Sequence, residues 1–317
     1  MEADVIEQSI QDLSPELLKI LLSDKTTKKF IRWGSDNYQE YGPEYYADQE
    51  IKPELITGSN TVVIQPRVSK SEAEKSQRTR DKAEVFTPSW VCNEQNNLVD
   101  AAWFGRDDVF TINGEKSWNA VPDPVAFPRD KIWKDYVDAR RMEISCGEAP
   151  YLVSRYDTVS GQTIEIANRI GLLDRKLRVV NENARDDEEW LKWTIRAFQS
   201  CYGYDYQGDN VLLARENLLY TFIEYTEHRM GRKPTLQELK KIANVIAWNI
   251  WQMNGLTMTA PYSLAEPAYK QMSIFDIFGI DEDGDGKEEA GSEEIPCKIY
   301  DWRSNESIEF RSMIREE

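Results

Sequence analysis

The residues with the clearest potential for ligand chemistry lie in two segments that each end a β-like run. In residues 143–157, EISCGEAPYLVSRYD, a short run through Ile144 turns sharply around Cys146 and Gly147. In residues 201–219, CYGYDYQGDNVLLARENLL, an aromatic strand ending at Asp205 joins a helix. A strand, a glycine turn and a helix direct backbone N–H groups at a ligand's carboxylate or phosphate. An acidic residue at the tip of the neighbouring parallel strand can accept both hydroxyls of a ribose, so these segments predict a site for an adenosine-containing cofactor.

The elements that must position these residues are those of a mixed α/β protein. Apolar periodicity predicts helices at 14–23, 187–200, 209–227 and 235–247. Thr235 begins the last of these, with Glu238 at capping-box spacing. Residues 61–68, TVVIQPRV, predict a strand that Pro66 limits to a sheet edge. We expect irregular structure at 37–60 and a strand or hairpin at 296–314.

The composition bounds the class of protein. With 317 residues, 40% of them hydrophobic, the chain can bury a sizeable core. It contains no apolar run of membrane-spanning length, and its acidic start does not resemble a signal peptide, so we expect a cytoplasmic protein with no membrane partner. The four widely spaced cysteines and the single histidine, His228, lack the spacing of metal ligands. We therefore predict buried free thiols and no metal site.

The charge distribution leaves one segment for contacts with nucleic acid. The net charge of −17 opposes nonspecific attraction to a phosphate backbone. The locally basic segment runs from residue 67 to residue 82, and its candidate DNA contacts are Arg67, Lys70, Lys75, Arg78 and Arg80. A solvated helix face with pairs such as Glu74 and Arg78 explains the same residues equally well.

Residues 281–294, DEDGDGKEEAGSEE, have two interpretations. Asp281, Asp283, Asp285 and Gly286 match the first half of a calcium-binding EF-hand loop. Position twelve of such a loop is a bidentate Glu, whereas this chain has Ser292 there, and no apolar exit helix follows. We therefore favour an acidic linker over a calcium site.

A third segment makes the pattern specific. EVFTP, residues 84–88, precedes the two segments above, and the order EVFTP, ExxCG, YGYD…ARENL resembles the N6-adenine DNA methyltransferases of restriction-modification systems. More closely, the chain resembles short proteins known as restriction endonuclease subunit M or DNA methylase in low-GC Gram-positive bacteria and their phages. The signatures RIGLLDRKLR and WNIWQMNGL extend this resemblance over roughly residues 14–315.

The resemblance implies roles for individual residues. Phe86, Thr87 and Pro88 would close over the methionine end of S-adenosylmethionine, and Glu143, Cys146 and Gly147 would line the turn that holds this cofactor. Asp205 would bind the ribose hydroxyls. Asn254, in WQMNGL, falls where such enzymes often have an Asp that binds the adenine amino group, and its carbonyl can also accept a hydrogen bond.

The chain also departs from the family pattern. The cofactor turn has Glu148-Ala149-Pro150 where a second glycine is usual, so Pro150 removes a donor and Glu148 adds negative charge. The catalytic tetrapeptide Asn/Asp-Pro-Pro-Tyr/Phe, which binds the flipped adenine, does not follow Asp205. The nearest string is TAPY, in which Thr259 would accept one hydrogen bond from the base and Tyr262 would stack on it.

These observations predict an α/β fold with a doubly wound, Rossmann-like class I methyltransferase core. We divide the chain into an N-terminal helical and irregular region (1–82), the core (83–262), an acidic linker (263–294) and a C-terminal strand or hairpin segment (295–317). One hypothesis is a DNA adenine-N6 methyltransferase that uses S-adenosylmethionine on double-stranded DNA. The other is a methyltransferase-like protein without catalysis, such as a phage counter-defence factor or an acidic DNA mimic, that binds a restriction or defence protein.

Overall fold

The structure, a computed structural model, describes residues 7–70, 87–263 and 295–313, and it is a mixed α/β protein. At its centre lies a three-stranded parallel sheet in the order β3-β4-β5. Two antiparallel hairpins, β1-β2 and β6-β7, complete the described strands. The strands are β1 Thr111–Gly114, β2 Ser117–Ala120, β3 Arg141–Ile144, β4 Cys201–Asp205, β5 Ile250–Gln252, β6 Lys298–Asp301 and β7 Glu306–Glu309.

Eight α-helices surround these strands in the described residues. They are α1 Glu7–Leu13, α2 Pro15–Leu22, α3 Ser89–Phe104, α4 Trp133–Asp138, α5 Leu172–Asn183, α6 Asp187–Gln199, α7 Gly208–Met230 and α8 Leu236–Asn249. Four of them confirm the helices predicted from periodicity, within three residues at each end. The capping box at the start of α8 is confirmed as well, because Thr235 N donates to Glu238 Oε2 at 2.7 Å and Glu238 N donates to the Thr235 hydroxyl at 3.3 Å.

The N-terminal region is joined to the core by a continuous hydrophobic cluster. Leu17, Leu18 and Leu21 of α2 are fully buried, and this helix packs on α8. The predicted strand at 61–68 is wrong, because these residues form turns and a short 3-10 helix at Arg67–Ser69. Val63 and Ile64 are instead buried in the main hydrophobic cluster, so their β-branched character serves packing rather than strand pairing.

The parallel sheet is built by two helical crossovers. Helices α5 and α6 connect β3 to β4, and α7 and α8 connect β4 to β5. Such connections are nearly always right-handed, so two crossovers that advance in the same direction place their helices on the same face. Cys201 of β4 and Ile250 of β5 are buried in one hydrophobic cluster with residues of these helices, so this face of the sheet is the helical one.

The opposite face of the sheet is covered by the C-terminal hairpin. Tyr202 and Tyr204 of β4 pack in one cluster with Trp251, Ile299 and Phe310. The predicted C-terminal hairpin is thereby confirmed, with Lys298 opposite Glu309 in its register. A doubly wound sheet continues beyond its first strand with a second set of strands. In the described residues β3 is an edge strand, so the structure shows three strands of such a sheet and the complete doubly wound core stays a prediction.

The β1-β2 hairpin is absent from the sequence-based assignment. Its four residue pairs enclose the turn at Glu115 and Lys116, and Lys116 has a positive φ of 49°. The Asn113-Gly114 dipeptide before this turn is a hairpin signal that the sequence contains.

Candidate functional site

The candidate site lies at the carboxyl ends of the three parallel strands. Residues 141–144 pair with 201–204, and residues 203–205 pair with 250–252, so the three strand ends are adjacent. The carboxyl edge of a parallel sheet is where α/β proteins bind their ligands. The sequence-predicted residues Gly147, Asp205 and Asn254 each follow or end one of these strands.

The turn after β3 has an unusual backbone. Ser145, Gly147 and Ala149 all have positive φ, at 50°, 52° and 63°. Glycine adopts the left-handed backbone conformation freely, whereas for Ser145 and Ala149 this conformation costs about 1–2 kcal/mol each. Strained backbone of this kind clusters at ligand sites, where the surrounding structure fixes it.

Asp205 connects this turn to the start of α7. Its Oδ2 accepts a hydrogen bond from the Gly147 amide at 2.9 Å, and its Oδ1 accepts from the Gln207 amide at 2.9 Å and from Asn210 Nδ2 at 3.5 Å. Burial raises the pKa of Asp205 to about 6, although the backbone donors partly oppose this. The carboxyl group is therefore mostly ionised at neutral pH. Oδ1 already accepts two donors, whereas Oδ2 accepts one and retains a lone pair for a further donor.

Glu143 lies on the helical face of β3, and its side chain accepts a hydrogen bond from the end of the turn. Its Oε1 accepts from the Tyr151 amide at 3.3 Å, while its buried Oε2 has no hydrogen-bond partner. Burial raises the pKa of Glu143 well above its usual value, and the nearby Asp205 adds to the effect. The neutral carboxylic acid is thus the favoured form of this group.

Cys146 has a packing role in the turn. A Cβ placed on Gly203 would lie 3.2 Å from Cys146 Cβ, so the thiol fills the space above this glycine of β4. Burial raises the pKa of the Cys146 thiol well above its usual value, which keeps it protonated and a poor nucleophile. All four cysteines are free and buried, as predicted.

The departure at Glu148 has a structural explanation. Its carboxylate accepts from the Arg67 amide at 2.6 Å and from the Tyr156 hydroxyl at 2.7 Å, and the side chain is buried. Asn217 Nδ2 donates to the backbone carbonyl of Glu148 at 3.1 Å. The added carboxylate thus holds the segment at Arg67 and is already supplied with donors. Pro150 is half-buried at the end of the same turn.

Two of the candidate DNA contacts lie in the described residues, and both belong to this anchored segment. Lys70 is 9% exposed, and its Nζ lies 3.6 Å from Asp209 Oδ2. Tyr38 donates to the same carboxylate at 2.6 Å. An ammonium held in this position has little access to a phosphate backbone, whereas Arg67 is half-buried. Lys75, Arg78 and Arg80 lie outside the described residues, as does the acidic segment with Asp281 and Asp285.

The residues of the EVFTP segment are only partly described. Phe86 lies outside the described residues. The Thr87 carbonyl accepts from the Thr158 hydroxyl at 2.9 Å, and Pro88 directly precedes α3. The Ser89 amide donates to Asp157 Oδ2 at 3.1 Å. This segment is therefore hydrogen-bonded to the loop that follows the turn at residues 146–150.

The two residues predicted to be catalytic have different neighbours. Thr259 is buried, its hydroxyl lies 2.6 Å from that of Thr257, and its backbone bridges to Asn254 and Pro296. Tyr262 is half-buried with a φ of 58°, and its ring centroid lies 6.5 Å from that of Tyr206, the residue after Asp205. Tyr262 therefore lies near the carboxyl end of β4, and the catalytic roles of both residues stay predictions.

Asn254 uses its carbonyl oxygen within its own turn. Oδ1 accepts from the Leu256 amide at 3.0 Å and from the Thr257 amide at 3.5 Å. This is an Asx turn, which stabilises the chain reversal after β5. An adenine amino group would have to share this oxygen with the backbone donors.

Sequence reasoning missed the residues that join the N-terminal region to the site. Gln252, the last residue of β5, accepts from the Arg32 amide and donates to the carbonyls of Arg32 and Tyr206, each at 2.8 Å. Gly34 has a φ of 68°, and a Cβ there would lie 2.6 Å from the Tyr206 carbonyl oxygen. The Trp-Gly-Ser sequence at residues 33–35 is the only local signal for this close approach.

Buried polar atoms without a partner mark the same edge of the sheet. They are Glu143 Oε2, Asn210 Oδ1 and the Ser35 hydroxyl. Buried polar groups in native proteins are nearly always satisfied, so orphan atoms beside a strained turn indicate a place where a ligand can supply hydrogen bonds. No group of three or more His, Cys, Asp or Glu within the described ranges is arranged to hold a metal ion.

Comparisons with protein-family models, with curated proteins and with solved structures find no match for this chain. In the part of the chain that the structure describes, no helix is both long and apolar enough to cross a membrane. The sequence motifs and the geometry at the carboxyl edge of the sheet are therefore the observations that bear on the function of this chain.

Proposed function

We propose that the protein binds S-adenosylmethionine at the carboxyl edge of the parallel sheet. The observation that carries this proposal is the hydrogen bond from the Gly147 amide to Asp205, which joins the glycine turn after one strand to an acidic residue at the tip of the next. In nucleotide-binding α/β folds this arrangement places the acid at the ribose hydroxyls. The orphan Asn210 Oδ1 lies on the same helix start and fits a further donor from the nucleoside.

The residues around the turn are compatible with this cofactor. Glu148, the departure that adds negative charge to the turn, accepts hydrogen bonds from the Arg67 amide and the Tyr156 hydroxyl, so its charge is not directed at a cofactor carboxylate. Asp205 is mostly ionised at neutral pH, and its Oδ2 can accept a further donor from a ribose hydroxyl. The doubly wound methyltransferase core and the S-adenosylmethionine site are proposed together, because the second depends on the first.

The proposed reaction is methylation of adenine N6 in double-stranded DNA. When bound, S-adenosylmethionine would supply an electrophilic methyl group to an adenine flipped out of the duplex. As N6 bonds to the methyl carbon in line, the carbon–sulfur bond would break, S-adenosylhomocysteine would leave and N6 would lose one proton to solvent. The resemblance of EVFTP, EISCG and YGYD to the adenine methyltransferases supports this choice of substrate.

Calorimetric titration with S-adenosylmethionine tests the cofactor site. We expect the native chain to bind, and we expect Asp205→Ala to weaken binding by about 10- to 100-fold, since a hydrogen bond to a charged group contributes about 1.5–3 kcal/mol. Asp24→Ala is the matched control, because Asp24 is also 7% exposed and also accepts backbone amides, from Thr26 and Thr27. No heat of binding from the native chain would refute the proposal.

The second candidate function is binding without catalysis, to a restriction or defence protein. The observation that favours it is the missing tetrapeptide, together with the net charge of −17 and the contact that already occupies the Thr259 hydroxyl, with Thr257. Transfer of labelled methyl groups to duplex adenine distinguishes the two functions. Methyl transfer that Asp205→Ala removes supports the enzyme, whereas cofactor binding without methyl transfer to any duplex supports the binding protein.

A further inference from the structure

The turn that follows β5 displays an apolar side chain to solvent. Leu256 is 92% exposed, the largest exposed fraction of any large hydrophobic side chain among the described residues. Asn254 fixes the turn, because its Oδ1 accepts from the Leu256 amide at 3.0 Å and its backbone carbonyl accepts from the Met258 amide at 2.7 Å. A single exposed leucine is common on protein surfaces, so its surroundings decide what it can contact.

The turn is anchored on the fold from two sides. A Cβ added to Gly255 would lie 3.2 Å from the ring of Tyr204, so the turn packs directly on an aromatic side chain of β4. The Cys297 amide, directly before β6, donates to the Met258 carbonyl at 2.9 Å. Leu256 is therefore held at a defined place on the surface.

Exposed lysines lie beside the same turn. Residues 24–29, DKTTKK, here called the lysine loop, contain the exposed Lys28 and Lys29. The Lys298 amide donates to the Thr26 hydroxyl at 3.0 Å, so the lysine loop lies beside the first residue of β6. Lys298 is exposed as well. The turn after β5 is therefore flanked by ammonium groups that water can reach.

The described acids of this surface are already supplied with donors. Both oxygens of Asp24 accept backbone amides of the lysine loop, at 3.0 and 3.1 Å. Glu309, which is opposite Lys298 in the hairpin, accepts from Arg311 Nε at 3.0 Å. The lysine side chains thus give this surface a local positive charge, although the net charge of the chain is −17.

We propose that this surface binds duplex DNA, with phosphates at Lys28, Lys29 and Lys298 and with Leu256 inserted between the bases. Ammonium groups bind the phosphate backbone without regard to sequence, and leucine is one of the apolar side chains that open a base step. The inference rests on the proposed adenine methylation, because the adenine must leave the stack before it can react. Leu256 then fills the space that the base leaves.

The position of the turn favours DNA as the partner. The Met253 amide donates to the Asp205 carbonyl at 3.0 Å, so the turn begins beside the acid of the candidate site. A base displaced by Leu256 therefore leaves the duplex close to the proposed cofactor. A protein interface buries an apolar core of several side chains, whereas here one leucine projects between exposed Gly255 and Thr257.

Fluorescence anisotropy with a labelled duplex of mixed sequence tests the lysines. We expect the native full chain to bind, with an affinity that falls as salt rises. Lys28→Glu with Lys29→Glu should weaken binding at least about 10-fold and reduce the slope of log affinity against log salt by about 2, because each phosphate contact contributes about 0.9. The matched control is Lys192→Glu with Lys233→Glu, two exposed lysines of the helical side, which should bind like the native chain.

A duplex with one abasic site tests the inserted leucine. One base is already missing from this stack, so the native chain should bind it about 10-fold more tightly than the intact duplex. Leu256→Ala should lose this preference and keep the salt dependence. Leu98→Ala, at a position that is 71% exposed on α3, is the control and should keep the preference. Equal affinity of the native chain for both duplexes, or a preference that Leu256→Ala retains, would overturn the insertion.

Calorimetry with S-adenosylmethionine separates this inference from the proposed function. The lysine and leucine variants should bind the cofactor like the native chain, since none of these positions belongs to the candidate cofactor site. A native chain that binds S-adenosylmethionine but no duplex would overturn the DNA surface and leave the cofactor site intact. A chain that binds neither would overturn both, and duplex binding that Lys28→Glu with Lys29→Glu leaves unchanged would overturn the surface alone.

Discussion

Two buried polar clusters of this protein differ in whether their charged side chains form an ion pair. The first, here called the paired cluster, consists of Asn93, Asn97, Asp100, Tyr136 and Arg175. Its guanidinium donates to Asp100 at 2.6 Å and to both Asn side chains at 2.8–2.9 Å, and the Tyr136 hydroxyl donates to Asp100 at 2.8 Å. The charged side chains are 1% and 2% exposed, so the ion pair is fully buried and well supplied with hydrogen bonds.

The second cluster, here called the edge cluster, consists of Glu143, Gly147, Asp205 and Asn210. Its two acids accept backbone amides and an Asn side chain, and neither forms an ion pair within the described residues. Burial raises the pKa of both acids. In the paired cluster the charged side chains bind one another. In the edge cluster, acceptor atoms stay available to a ligand beside a strained turn. That difference is why we place the candidate site at the edge cluster and not at the more buried ion pair.

The largest effect is expected from breaking the paired cluster. Arg175→Leu removes the cation and leaves Asp100 buried without a countercharge, which should lower the free energy of unfolding by about 3–5 kcal/mol. Arg185→Ala, which breaks the exposed pair with Glu189, should leave the free energy of unfolding nearly unchanged. Chemical denaturation measures both. A loss of similar size in the two variants would show that the paired cluster does not stabilise the fold in this way.

An intermediate effect is expected from the pH dependence of the edge cluster. Burial raises the pKa of Asp205 from 3.8 to about 6, so the folded chain binds this proton more tightly than the unfolded chain. The resulting stability is fully present below pH 3.8 and is lost as the pH rises through about 6, a change of about 3 kcal/mol. Denaturation at a series of pH values should show this difference between the native chain and Asp205→Ala. Parallel stability curves for the two proteins would contradict it.

The smallest effect is expected at Glu143. Because burial favours its neutral form, Glu143→Gln keeps the shape, the charge and the acceptor for the Tyr151 amide. We expect the free energy of unfolding to change by less than about 1 kcal/mol, whereas Glu143→Ala should lower it by about 1–3 kcal/mol through the unsatisfied amide. Thermal denaturation compares the two variants. Equal losses would mean that the ionised form of Glu143 is required.

Much of the local structure could be predicted from the sequence because periodicity and capping are local signals. The helices around Trp190, Leu212 and Ile242 follow apolar patterns, and their bounds agree with the structure within a few residues. The prediction of a strand at 61–68 was wrong because Val and Ile are equally suited to a buried turn. Only long-range packing decides between a strand and a turn here. The buried charges of α5 were also missed, since Arg175 and Lys176 read as surface residues when their partners are unknown.

The candidate site was predicted in its residue types but not in its partners. Gly147 and Asp205 lie 58 positions apart and are brought into contact by the parallel pairing of β3 with β4. No local pattern predicts that Glu148 contacts Arg67 or that Gln252 contacts Arg32, because contacts between distant segments have no local signature. Thr259 and Tyr262, grouped in TAPY by their proximity in the chain, point to different neighbours in the fold.

The sequence by itself determined which residues end the strands and begin the helices, since these depend on side chains within a few positions of one another. It thereby located a glycine turn and an acid of the type that binds a nucleoside. Only the tertiary structure decided that Asp205 accepts the Gly147 amide and that Glu148 accepts the Arg67 amide of the N-terminal segment. It also decided that β3 is an edge strand among the described residues, with Met142 and Ile144 exposed. Those outcomes depend on the register of one strand against the next and on the burial it imposes, and neither is encoded within a single segment.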